Sequence, residues 1–317
     1  MKRVVVAIIT TVLIATPLLA WDGKGHMVVA YIAYKNLSNE TRKRVDGLLK
    51  LNPEYKHWTT GVPKKKRVLV AFVNAATWPD CIKRASDCPG YTADGTDNGN
   101  TPPPGPEASQ NIGYADKFMH KYWHFVDEPF SPSGLPTEGP ASSNALLQIS
   151  TFTDAIGGDD SDDIKSYDVA WLEHLVGDVH QPLHATSRFT SGHPHGDNGG
   201  NSIKFCAACN DNLHTFWDDI LGTQTDIATI IQLGDSRMSR PKPVDANIAD
   251  ASVWVNESFE LAKQHVYVTP ISDDETVPPQ PSPRPDQAYR DTAKAIAKDR
   301  LLLAGYRLAA LLNANLR

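Results

Sequence analysis

The sequence predicts a mainly α-helical single domain with long loops, on three observations. Apolar residues recur three and four apart along several segments, the spacing that lines one face of a helix. No segment alternates apolar and polar residues over a strand's length, and there are no heptads or repeats. The periodic segments are separated by stretches crowded with Gly, Pro, Asn and Asp, which break regular structure.

The elements follow in order. Residues 25–37 read as a helix, and Ser38-Asn39-Glu40-Thr41 offers a cap for the next one. Residues 68–77 form another, ending before Pro79, which puts Asp80 of Trp78-Pro79-Asp80 at a helix end. Residues 87–113 and 129–140 read as exposed loops. Helical patterns return at 143–156 and 162–180. A Gly- and His-containing loop at 187–201 and a short strand at 203–205 follow. Residues 225–233, 247–266 and 286–316 read as helices, the last two separated by a Pro-rich stretch at 270–285. The long loops are where a site and its substrate groove belong.

The first twenty residues stand apart. Met1-Lys2-Arg3 is a positive start, residues 4–14 are apolar, and Leu18-Leu19-Ala20 is a small-residue exit. This is the pattern of a secretory signal cut after Ala20, leaving a domain at 21–317 in a secreted or periplasmic protein. The run is too short to count as a spanning helix and no second one follows, so no stable membrane association is expected after processing. Its loss removes two positive charges and no acidic ones, moving the formal net charge from −6 to −8. Such a chain is no obvious polyanion binder unless bound cations reverse the charge locally. Four cysteines in an exported chain favour disulfides. Cys81 with Cys88 and Cys206 with Cys209 is the short-range pairing, two other connectivities remain open, and Cys206-x-x-Cys209 could be half a zinc motif.

The chemistry concentrates in His174-Leu-Val-Gly-Asp178-Val-His180-Gln-Pro-Leu-His184 and in Asn212-Leu-His214-Thr-Phe-Trp-Asp218. A helix places residues i and i+4 one turn apart on one face, so each His-x-x-x-Asp step can grip a cation. Two such steps point to a multinuclear metal site and so to hydrolysis. His184, Asp80, His124 between aromatic residues, and His26 are further candidate ligands. If Trp21 becomes the N-terminus, its α-amine and carbonyl can chelate a cation beside His26. Burying so many acids and imidazoles without a cation would be costly.

These residues resemble the zinc-dependent, single-strand-specific nucleases of type I, the S-one/P-one family. The resemblance runs through Trp21-x-x-x-x-His26, Trp78-Pro-Asp80-Cys-Ile-Lys83 and His124-Phe125-Val-Asp127. It continues through the two His-x-x-x-Asp segments and the intervening Gly196-Asp197-Asn198-Gly199-Gly200-Asn201, all in family order. It implies the helical fold shared with zinc-dependent phospholipases C and three zinc ions. One would be held by Asp80, His124, His174 and Asp178. A second would use His184, His214 and Asp218, and a third Trp21 and His26 with Asp178 as a bridge. Three doubly charged ions against three carboxylates leave a positive site that attracts a phosphodiester. The implied reaction is in-line attack on phosphorus by zinc-activated water, oriented by Asp80, with Lys83 on the phosphate. Phe125 would stack a base while Asp127 and Asn201 bond its edge, which requires an unstacked base and hence a single strand. The expected partners are single-stranded RNA and DNA, cut to 5′-phosphates, and 3′-nucleotides, whose phosphate the family removes. A monomer is expected.

His180 is expected to hydrogen-bond behind the ligands, and His193 and His195 to lie exposed in a loop. His57, His120 and His265 have no identifiable partner in sequence. The alternatives are a zinc-dependent phospholipase C-like phosphodiesterase, with the same fold and metal logic, and a non-enzymatic zinc-binding protein. The Gly-Asp-x-Gly-Gly-Asn loop favours the nuclease. Ligand groups that leave room for water disfavour storage.

Overall fold

A computed structural model of the protein describes residue 21 and residues 23–83, 88–94 and 101–316. The predicted leader and part of the predicted loop at 87–113 lie outside the described residues. The helices are α1 (Gly23–Asn36), α2 (Asn39–Leu48), α3 (Tyr55–Thr59), α4 (Arg67–Ala75) and α5 (Trp78–Cys81). After a long irregular stretch come α6 (Ala145–Gly157), α7 (Asp162–Asp178), α8 (Leu213–Asp218), α9 (Ile227–Met238), α10 (Ala251–Leu261) and α11 (Gln287–Asn315).

Local chemistry explains where they start. Ser38 Oγ accepts from the Thr41 amide at 3.0 Å, as its sequence position predicts. Asn144, Ser161, Asn212, Asp226, Asp250 and Asp286 cap α6 to α11 in the same way. Asp162 and Asp163 add negative charge at the positive end of α7. From Lys165 to Asp178 every residue of α7 is buried, and α1 is buried from Lys24 to Tyr34. Helices buried on all faces sit inside a fold rather than on it. α7 packs against α1, α2, α5, α6 and α11, and α1 against α4, α9 and α11. One hydrophobic cluster joins them, and His26 of α1 with His174 and Asp178 of α7 are fully buried.

Several predicted elements change. Pro79 does not stop the preceding helix: α4 ends at Ala75, and Pro79 starts α5 with Asp80 in its first turn. A proline is tolerated there because the first amides of a helix have no partner to lose. The predicted strand at 203–205 reduces to a single bridge between Lys204 and Asn212. The two-stranded ladder among the described residues is instead parallel, β1 (Pro129–Phe130) with β2 (Ser187–Arg188), in segments read as loops. Two residues per strand are too few for a period to register. The segment read as a helix at 247–266 begins at Ala251 and ends in a π-helical turn, Ala262–Val266. Cys81–Cys88 and Cys206–Cys209 are both disulfides, so the latter pair is no zinc half-site. Among the described residues no helix is long and apolar enough to cross a membrane.

Candidate metal centre

Three side-chain groups converge with ligand atoms within 4.8 Å of one another: His26, His174 and Asp178; Asp80, His124 and His174; and His184, His214 and Asp218. All are buried. α7 supplies His174 and Asp178 one turn apart, α8 supplies His214 and Asp218, α1 supplies His26 and α5 supplies Asp80. Short 3₁₀ turns, Lys121–His124 and Pro182–Ala185, deliver His124 and His184.

Asp178 lies at the meeting point. Its Oδ1 is 3.3 Å from His26 Nε2, and its Oδ2 is 3.2 Å from His174 Nε2 and 3.1 Å from His124 Nδ1. Two glycines permit this approach. A Cβ on Gly177 would stand 2.7 Å from His26 Nδ1, and one on Gly25 would stand 2.7 Å from Trp21 Cβ. The Trp21 indole folds back over the first turn of α1 and donates to the Gly177 carbonyl at 3.0 Å. Trp21 thus reaches the neighbour of Asp178.

Backbone carbonyls set the imidazole tautomers. His174 Nδ1 donates to Ala76 O, His184 Nδ1 to His124 O and His214 Nδ1 to Gly199 O, each at 2.7 Å. Each ring then keeps a lone pair on Nε2. The Nε2 atoms of His184 and His214 face each other at 3.2 Å, and Asp218 Oδ2 is 3.4 Å from His214 Nε2. Two facing lone pairs beside a carboxylate repel unless a cation lies among them. Both nitrogens of His26, His124 Nε2, Asp80 Oδ2, Asp178 Oδ1 and Asp218 Oδ2 are buried without a hydrogen-bond partner. Each such atom costs about 1–3 kcal/mol, more when charged. Divalent cations would satisfy the arrangement, and imidazole with carboxylate is the donor set of catalytic zinc and similar ions. The residues therefore fit a metal cluster.

The electrostatics favour the ligating forms at His26, His124, His184, His214, Asp80 and Asp178 and run against them at His174 and Asp218. Burial, then His174, lowers His26 to about 4, and burial, then Lys83, lowers His124 to about 3. His184 and His214 are also lowered, chiefly by burial. Burial also depresses His174, but Asp178 and Asp80 outweigh it and raise the group. Burial works against ionised Asp80 and Asp178, yet Lys83 and His174 for the first, and His174 and His184 for the second, hold both well below the usual carboxylate range. Asp218 has fewer cationic neighbours, and burial pushes it up to about 7. Neutral imidazole and ionised carboxylate are the forms that ligate metal. Lys83 Nζ donates to Asp80 Oδ1 at 2.7 Å.

Of the remaining predicted site residues, Phe125 and Asp127 share the segment of His124, and Asn201 lies in the glycine loop. Phe125 follows His124 directly and is partly buried against the core. Burial, then Asp197, raises half-buried Asp127 to about 7. Asn201 Nδ2 donates to Asn198 O at 2.8 Å, while its Oδ1 is buried without a partner. The glycine loop has a supporting role that its sequence did not disclose. Gly199 (φ 58) and Gly200 (φ 79) occupy the left-handed region, and a Cβ on Gly199 would strike the Leu183 carbonyl at 2.3 Å. That close approach puts Gly199 O where His214 needs its acceptor. Asp197 Oδ1 accepts from the amides of Arg188 (3.0 Å) and Gly200 (3.1 Å), locking the loop. Gln181 was also missed: its Nε2 donates to Asp218 Oδ1 at 2.8 Å. The Gln-Pro step between two histidines was the available signal.

Other histidines resolve differently. His180 bonds behind the ligands as expected, with Nδ1 on Val176 O and Nε2 facing Arg307. His120 is not partnerless: it joins Asp116 and the Tyr122 hydroxyl at 2.9 Å each and stacks on Trp123. His193 is only partly exposed and pairs with Asp274 at 2.6 Å, whereas His195 is exposed and pairs with Glu138.

A search of curated proteins finds no match. The sequence model of the S1/P1 nuclease family matches residues 21–317, a span that contains the whole cluster. With that match, the mainly helical fold and the clustered His and Asp side chains, this chain belongs to the S1/P1 nuclease family.

Proposed function

We propose that residues 1–20 are a secretory signal and that the domain 21–317, exported with Trp21 at its N-terminus, is an endonuclease. It hydrolyses single-stranded RNA and DNA to 5′-phosphate products and removes 3′-phosphates from nucleotides. The observation that carries the reading is the convergence of buried, tautomer-fixed imidazoles and unpartnered carboxylate oxygens in three adjoining groups.

Three zinc ions fit the donors. Asp80, His124, His174 and Asp178 would hold one, His184, His214 and Asp218 another. The Trp21 amine and carbonyl, His26 and Asp178 would hold the third. When bound, zinc supplies a Lewis acid for phosphoryl oxygens and makes water acidic enough to attack near neutral pH. The chain does the positioning. Asp80, kept ionised by Lys83, orients the attacking water in line with the scissile bond. Lys83 contacts the phosphate and offsets charge as a new P–O bond forms and the P–O3′ bond breaks. Phe125 stacks an unpaired base, worth about 1–3 kcal/mol, while Asp127 and Asn201 bond its edge. A duplex must unstack to use these groups, which supports single-strand preference. The paired cysteines and the family support an extracellular site of action.

Metal analysis of the processed protein, with parallel assays on single-stranded oligonucleotide and phosphatidylcholine, tests the reading. Zinc with oligonucleotide cleavage supports it. Cleavage of the lipid alone favours a phospholipase, and zinc with neither activity favours a binding protein. Asp80→Asn should leave the fold intact and lower turnover by about 10²–10³-fold; undiminished cleavage rules out the assigned role. One residue placed before Trp21 turns the amine into an amide and should release about one zinc per chain. Equal metal content and equal activity in the extended protein would refute the N-terminal ligand.

A further inference from the structure

A strongly positive face lies at the end of α4 away from the metal centre. From Tyr55 to Pro79 the chain carries Lys56, Lys64, Lys65, Lys66 and Arg67 and no acid. Glu54, just before, is 1 % exposed and accepts from the Gly90 amide, so its carboxyl group is turned inward. The fold brings the cations together: the turn Leu49–Leu51, α3 and α4 pack on one another, and the turn Lys64–Lys66 runs straight into α4. Lys56, Lys64, Lys65 and Lys66 are exposed, in a chain whose formal net charge is −6. Among the described residues none of these four enters an ion pair.

Folding alone does not favour this arrangement. The turn Lys64–Lys66 and Arg67 stand at the start of α4, which has no acid in its first turn and no side-chain cap. The start of a helix is its positive end, where anions are stabilising and cations are not. α7 shows the favourable case, with Asp162 and Asp163 in that place. Adjacent cations also repel one another. An external anionic partner offsets both terms.

The neighbouring side chains say which partner. Leu51, in the turn packed on α3 and α4, is 47 % exposed. Exposed lysines beside an exposed aliphatic side chain suit a lipid surface, where the aliphatic group enters the headgroup boundary and the lysines meet anionic headgroups. A nucleic-acid strand calls instead for aromatic faces among the cations. Among the described residues no aromatic ring lies under any of the five cations. We propose that this face docks the protein, peripherally and reversibly, on a membrane rich in anionic phospholipid. The face and the metal centre lie at opposite ends of α4, since His174 Nδ1 donates to the carbonyl of Ala76, just past the helix end. The nine residues of α4 put about 14 Å between them along its axis, so docking does not occupy the metal centre.

The test is sedimentation of the protein processed to Trp21 with vesicles of equal phosphatidylglycerol and phosphatidylcholine, and with vesicles of phosphatidylcholine alone. Binding is expected only to the mixed vesicles, and it should fade between about 50 and about 500 mM salt as the charges are screened. Lys64→Gln with Lys65→Gln and Lys66→Gln should weaken it on the order of a hundredfold, at about 1 kcal/mol per lysine. Leu51→Ser should weaken it about tenfold. Lys64→Arg with Lys65→Arg and Lys66→Arg should keep it. The glutamine variant should melt no lower than the parent, because it removes cations from the positive end of a helix; that separates lost docking from lost folding. Anisotropy of a labelled phosphorothioate oligothymidylate should give the same affinity for the parent, glutamine and serine proteins. A parent that ignores the mixed vesicles, or a folded glutamine variant that binds them as tightly as the parent, overturns the proposal. So does weakened oligonucleotide binding with vesicle binding intact, which would give the face to nucleic acid.

Discussion

Asp178→Asn is expected to lower zinc from about three ions per chain to about one and to reduce turnover on the order of a thousandfold. The side chain is fully buried, and its two oxygens face separate groups, Oδ1 toward His26 and Oδ2 toward His124 and His174. Asparagine keeps the shape but offers one neutral oxygen and an amide that repels cations. The group of His184, His214 and Asp218 contains no atom of this residue, so it should keep its ion. Metal analysis beside a melting curve separates ligand loss from unfolding. A folded variant that retains its full metal content would show that Asp178 does not bridge.

Stripping the metal with a chelator should abolish cleavage and lower the melting temperature by about 10 °C or more. An ion present at a thousand times its dissociation constant stabilises by about 4 kcal/mol, and about 1 kcal/mol moves the melting point of a domain this size by roughly 2–4 °C. The reason lies in the unpartnered atoms of His26, Asp80, His124, Asp178 and Asp218, which pack without compensation once the cations leave. Re-addition of zinc should restore both properties. A melting point indifferent to the chelator would mean that the cluster is held by packing alone.

Much of this site was legible in the sequence, because two of the ligand pairs are local. His174 with Asp178 and His214 with Asp218 each sit one turn apart, and an α-helix turns that spacing into proximity whatever surrounds it. The cap at Ser38 and the long terminal helix were readable for the same reason: they depend on neighbours in sequence. Pro79 was misread because a proline that stops one helix and a proline in the first turn of the next look alike until the break between Ala75 and Trp78 is seen. β1 and β2 were invisible because their partners are far apart in the chain and each strand is two residues long.

The sequence by itself determined the donor types, their helical pairing, the apolar segments that bury them and the family to which they point. Only the tertiary structure decided which donors converge, and it did so through backbone atoms that sequence patterns do not mark. Gly177 and Gly25 let His26 and Trp21 close on α7, and the carbonyls of Ala76, His124 and Gly199 fix the rings of His174, His184 and His214. Hydrogen-bond direction and close packing depend on three-dimensional approach rather than on spacing along the chain, so these contacts exist only once α1, α5, α7 and α8 have packed together.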